Sequence, residues 1–197
     1  MSKFDPAAAK KERNKTIRWV VTIFFVTILV SAMISFASER LMSVSGIVVA
    51  FLVLLAIVLV GIVFDIIGVA VTSADEKPFH SMAARKVPGA QEAIKLLRNA
   101  ERVSSICNDV IGDICGVVSG SASATIAAQV IAKLNFSWPR LIMLIMSALV
   151  AGFTVGGKAM GKTFAINSCT SIVHGTGKIL YTLHHLPRVF TKKNKKR

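Results

Sequence analysis

The chain has 197 residues, 53% of them hydrophobic, and a formal net charge of +14. That apolar share exceeds the roughly 45–50% of an ordinary globular domain, so the basic and apolar residues have to be segregated along the chain. Three cysteines with no C-x-x-C spacing exclude a disulfide framework and a zinc signature.

Segregation is what the sequence displays. Residues 1–18 form a basic arm with Lys3, Lys10, Lys11, Arg13, Lys15 and Arg18 against Asp5 and Glu12. Trp19 to Phe36 then carries no charge over 18 residues, long enough for a membrane helix of about 20 residues. No A-x-A-like site follows, and another apolar run comes soon after, so a signal peptide is the poorer reading. The turn "ASERLMS" leads into a second span, about Val44 to Ala74, interrupted by Asp65. The polar segment Asp75 to Arg102 contains "GAQEAIKLLRNAERV". Its Ala93, Leu96, Leu97 and Ala100 have the spacing of a short amphipathic helix at a membrane surface.

A third span, about Val103 to Ala132, is rich in Gly, Ser and Ala and holds Asn108, Asp109 and Asp113. Trp138 and Pro139 open a fourth, whose uncharged core runs from Leu141 to Gly157. Beyond Lys158, Ala165, Cys169, Ile172, Ile179, Leu183 and Leu186 share one face of a second amphipathic segment, which "HGTG" is placed to break. The tail, residues 189–197, is basic.

Lysine and arginine concentrate in the arm, the middle segment and the region after span four, and are sparse in the two intervening turns. By the positive-inside rule, this places both termini and the middle segment in the cytoplasm. The expected fold is therefore an all-α integral membrane protein. It has four transmembrane helices and short interfacial amphipathic helices, multi-pass in the cell inner (plasma) membrane. Basic residues beside apolar spans point to anionic-lipid contacts rather than to nucleic acid. No Ser/His/Asp or Cys/His arrangement suggests an enzyme.

Asp65, Asp109 and Asp113 fall roughly 9–15 Å below the cytoplasmic surface at 1.5 Å per residue. An aspartate at mid-helix costs about 2.5–3.5 kcal/mol to insert, so it is expected to face a partner or a water-filled cavity. A cation site is one reading. Neutralisation by Lys158, by protonation or by polar helix contacts is the other. Gly112, Gly116, Gly120, Ala124 and Ala128 recur every four residues, a row that lets a helix approach closely. It reads first as packing within the monomer and second as a homodimer seam. The four histidines all fall in interfacial segments, and the neighbours His184 and His185 form no chelate.

"GGKAMGKT", Gly156 to Thr163, fits the phosphate-binding pattern G-x-x-x-x-G-K-[ST]. A working P-loop follows a strand inside an α/β domain. Here the preceding run reads as a membrane span, and only 34 residues follow Thr163, too few for a parallel sheet, so no nucleotide is expected.

Three blocks resemble, in order, the transmembrane domain of the CNNM/CorB/CorC family of magnesium-transport proteins. They are "FDIIGVAVTSAD", "AQEAIKLLRNAERVSSICNDVIGDI" and "GGKAMGKTFAINS". The resemblance covers about Val44 to Leu186. It divides the chain into the arm, an extra N-terminal helix and turn (residues 19–43), a CNNM-like domain (44–188) and the tail. It implies divalent-cation (Mg2+ or Co2+) transport or efflux, with Ser73, Asn108 and Gly157 at positions that line the family's ion site. Asp65, Asp109 and Asp113 are the acids available to such a site. The chain departs from the family at Lys158, where a glutamate is expected, and at Gly68 and Gly161, where a glutamate and a proline are expected. The cytoplasmic CBS pair is absent from this sequence, so a separate CBS-domain partner is a further expectation. A lysine in place of a carboxylate ligand repels a hard cation. The alternative function is thus a transport-incompetent scaffold or partner subunit in which Lys158 replaces the bound cation.

Overall fold

A computed structural model describes residues 6–44, 46–134 and 138–193. The described chain is all-helical and contains no strand. Its elements are α1 (Pro6–Val44), α2 (Ile47–Ser73), α3 (Lys77–Ala84), α4 (Ala90–Arg98), α5 (Ala100–Ser105), a π-helical segment (Ile106–Gly112), α6 (Asp113–Leu134), α7 (Pro139–Asn167) and α8 (Cys169–Lys193). Four stretches are long and apolar enough to cross a membrane: Thr16–Met42, Ile47–Ser73, Ala100–Lys133 and Pro139–Asn167. These are the four runs expected from hydropathy, and they are consistent with a multi-pass membrane protein. Pro139 opens α7 where a missing N–H costs nothing.

α2 is the central element and packs on α6, the π-helical segment and α7. Two glycines of α7 make the α2–α7 approach close. The Ile62 side chain lies directly against Gly157. A Cβ at Gly161 would come within 2.8 Å of Ile66 Cγ1. Helices approach this closely only where one of them presents no side chain. Along the first half of α2, Ala50, Leu54 and Val58 meet Ala122 and Ile126 of α6, with Met42 of α1. α1 lies along α6, where Ile23 and Val30 cover Ile114 and Val118 together with Val110 of the π-helical segment. Two contacts tie its apolar stretch, Thr16–Met42, near either end. Gln129 Nε2 donates to the Met42 carbonyl at 3.1 Å, and the Arg102 guanidinium stacks over Trp19, 5.4 Å from the ring centre.

At the opposite end, the last two turns of α2 and α7 are wrapped by α3, α4 and α8. Ala70, Val71, Phe79, Ala93, Ala165 and Val173 form a fully buried core there. Arg98 Nε of α4 donates to Glu76 Oε1 at 3.0 Å, holding α4 to the start of α3. α8 continues unbroken through "HGTG". The glycine expected to break it is a contact point instead. Gly177 sits so close to the backbone of α4 that a Cβ would lie 2.5 Å from the Gly89 carbonyl and 3.0 Å from Ala93 N. Gly89 itself has φ 86°, the left-handed conformation glycine adopts without strain. Packing against α4 keeps this stretch helical, outweighing the roughly 1 kcal/mol propensity cost of each glycine.

Candidate functional site

The polar groups in the apolar bundle gather where α2, the π-helical segment and α7 meet. Lys158 of α7 turns inward, and its Nζ stands 3.9 Å from Asp65 Oδ1 of α2. Both side chains are largely covered, at 25% and 17% exposure. Nζ also lies over Gly112, where an added Cβ would come within 3.4 Å of it. The small residue at 112 therefore makes room for the ammonium. At 3.9 Å the pair sits at the long end of ion-pair contact, so its strength depends on the low dielectric around it.

One helical turn further along α2, the amide of Asn108 lies directly against Gly68. Any side chain at 68 would occupy the same space. Asn108 Nδ2 donates to Ser104 Oγ at 3.2 Å. Its Oδ1 is buried and has no hydrogen-bond partner. An unpaired buried acceptor costs about 1–3 kcal/mol, which makes this oxygen the most conspicuous polar anomaly in the bundle. It lies within the π-helical segment, and π-turns inside α-helices recur at functional sites.

The expected site residues divide into two sets. Asp65, Asn108, Gly157 and Lys158 all lie on the mutually packed faces of α2, the π-helical segment and α7. Asp109 and Asp113 are exposed on the outer side of their helix, and Ser73 is exposed at the end of α2. Lys158 is thus paired with Asp65 rather than with either span-three aspartate. Among the described residues, no three His, Cys, Asp or Glu side chains converge as a metal site would require. For a hard cation, which takes six or more oxygens, the side chains gathered here bring the Asn108 carbonyl, the Ser104 hydroxyl beside it and a carboxylate already facing an ammonium. That set does not fit a dedicated magnesium cage. Hydropathy could not have found the Lys158–Asp65 pair, because the two residues lie on separate helices. The signal that sequence did offer was a lysine closing one uncharged run and an aspartate inside another apolar span.

Gly116 and Gly120 of the small-residue row have open space where a side chain would be. Ala122, Ile126 and Ala127, one face round, carry the packing within the monomer. "GGKAMGKT" lies wholly inside α7 and forms no phosphate-cradling loop in this structure. The histidines sit at the edges. His80 Nε2 is 3.3 Å from Glu76 Oε1, His174 Nε2 is 3.3 Å from the Pro88 carbonyl, and His185 Nδ1 is 2.9 Å from the Tyr181 carbonyl.

No family model, curated protein or solved structure matches this chain. The similarity to the CNNM/CorB/CorC transmembrane domain therefore stands on its three blocks alone.

Proposed function

We propose that the protein is a multi-pass membrane protein on the plan of the CNNM/CorB divalent-cation transporters, in which the Lys158 ammonium serves as a tethered cation and the chain acts as a non-transporting scaffold or partner subunit. The observation that carries this reading is the Lys158–Asp65 pair, 3.9 Å apart inside the apolar bundle. A fixed ammonium supplies in cis the positive charge that a mobile cation would bring, and it cannot leave. It also neutralises Asp65.

A second reading, Mg2+ or Co2+ transport, is favoured by one specific observation. Asn108 Oδ1 is a buried oxygen without a partner, in a π-helical segment, at the position where the family resemblance implies an ion contact. In that reading the cation is substrate, passing Asn108 while Lys158 is displaced toward the cytoplasm.

The deciding experiment reconstitutes the full chain in vesicles and follows Mg2+ and Co2+ flux with entrapped indicators, alongside thermal stability in detergent with and without millimolar magnesium. The tethered-cation reading expects flux equal to protein-free vesicles and no stabilisation of wild type. It also expects magnesium-dependent stabilisation of Lys158→Glu, in which two carboxylates face each other. Wild-type flux that disappears in Asn108→Ala establishes the transport reading instead.

A further inference from the structure

The apolar stripe of α8 changes surroundings halfway along its length. Cys169 and Ile172 pack against the inner core with Val173. Ile179 and Leu183, on the same stripe, are 63% and 57% exposed, and Leu180 beside them is 40% exposed. The stripe thus continues past the last protein that covers it. Lys178 precedes Ile179, about 100° round the helix; its backbone lies against Gly89 and its side chain is exposed. The end of α7 that leads into α8 also leaves apolar side chains uncovered, Met160 at 79% and Phe164 at 57%, on a helix long enough to span a bilayer. The charge that α8 itself brings has one sign, although Glu92 of α4 borders Tyr181 on the helix's packed side. From Ile114 to Arg197 the sequence contains no acidic residue, while nine lysines and arginines lie from Lys158 onward.

We infer that α8 is an in-plane interfacial helix whose second half docks on anionic phospholipid of the inner leaflet, with Ile179 and Leu183 in the acyl boundary and Lys178 at the headgroups. An apolar edge bordered by lysine, on a helix whose opposite face the bundle holds through Val173 and Gly177, is the geometry of such helices. Lysine reaches the headgroup plane from an apolar stem. Basic residues are drawn to an anionic surface, so a helix without acids of its own makes phosphatidylglycerol-type lipid a better occupant than a neutral leaflet. A protein partner fits less well, since α8 offers it no acidic group. This inference rests on the membrane reading above but not on the choice between scaffold and transporter.

The test uses the full chain reconstituted in phosphatidylcholine vesicles with and without phosphatidylglycerol. Trp19→Phe and Trp138→Phe clear the background, and Leu183→Trp reports the position of α8. Emission from the introduced tryptophan should be blue-shifted and quenched by lipids brominated high on the acyl chain. It should resist aqueous iodide and show at least about twofold stronger lipid quenching with phosphatidylglycerol. Lys178→Glu should reduce the phosphatidylglycerol effect, and soluble inorganic phosphate should not replace the lipid. Quenching by iodide alone overturns the proposal, since the helix is then in water. Shielding from both quenchers also overturns it, because another protein surface is then the occupant. Quenching that is equal in both vesicle types removes the anionic specificity and with it the proposal. The matching protein with Trp138 as its single tryptophan tells the two failures apart. Loss of lipid quenching there rejects the membrane reading itself, whereas its retention confines the failure to α8.

Discussion

Lys158 Nζ of α7 lies 3.9 Å from Asp65 Oδ1 of α2, and both side chains are mostly buried between helices. Removing one member leaves a charge in an apolar setting with no partner. A fully buried pair loses about 3–5 kcal/mol in that way; residual exposure reduces the expected cost here to about 1–3 kcal/mol. Lys158→Ala and Asp65→Ala should each lower the melting temperature in detergent, and the double variant should be more stable than the sum of the two losses predicts. A coupling energy below about 0.5 kcal/mol would show that the two charges act independently.

The contact between Asn108 and Gly68 makes a second prediction. Gly68→Ala puts a methyl group where the Asn108 amide lies, so it should destabilise by about 1–3 kcal/mol despite the better helix propensity of alanine. Asn108→Ala removes the obstacle together with the unpaired Oδ1. Introduced into Gly68→Ala, it should restore stability to at least that of the wild type. An additive double variant, measured by thermal unfolding, would rule out the contact.

Gly157 and Gly161 let Ile62 and Ile66 approach α7. Gly161→Leu should separate α2 from α7 and cost more than about 3 kcal/mol, whereas Gly152→Ala, at a glycine with open space, should be within about 0.5 kcal/mol of wild type. Equal effects at the two positions would contradict the helix contact.

Topology has a direct readout. With four spans and both ends inside, cysteines introduced at Ser2 and Arg197 should resist a membrane-impermeant thiol reagent in intact cells, and a cysteine at Ser43 should react. Ser2 and Arg197 lie outside the described residues. Labelling at either terminus without labelling at Ser43 would invert the arrangement.

Lys162 is exposed on α7, and the stretch around it is helical rather than a loop. Purified protein should show no saturable micromolar ATP binding with magnesium, and Lys162→Ala should change nothing in that assay. Binding abolished by the substitution would revive the phosphate-loop reading of Gly156 to Thr163.

Much of this fold follows from sequence alone, because helix length and apolar content are local properties. The runs from Trp19 to Phe36 and from Leu141 to Gly157 are uncharged, and each falls within a helix long enough to cross a bilayer. The amphipathic pattern of "AQEAIKLLR" is likewise legible, and α4 forms there with Ala90 and Ala93 buried. Tertiary contacts decided the rest. Whether Gly177 breaks a helix or seats one depends on Gly89 and Ala93, far away in sequence. Whether Lys158 meets Asp65, Asp109 or Asp113 depends on how three helices rotate about their axes. Periodicity fixes which residues of one helix share a face, but the direction that face takes is set by where glycines allow neighbouring backbones to close. Here Gly61, Gly68, Gly157 and Gly161 set that approach, turning Lys158 toward Asp65 and leaving the two span-three aspartates outside.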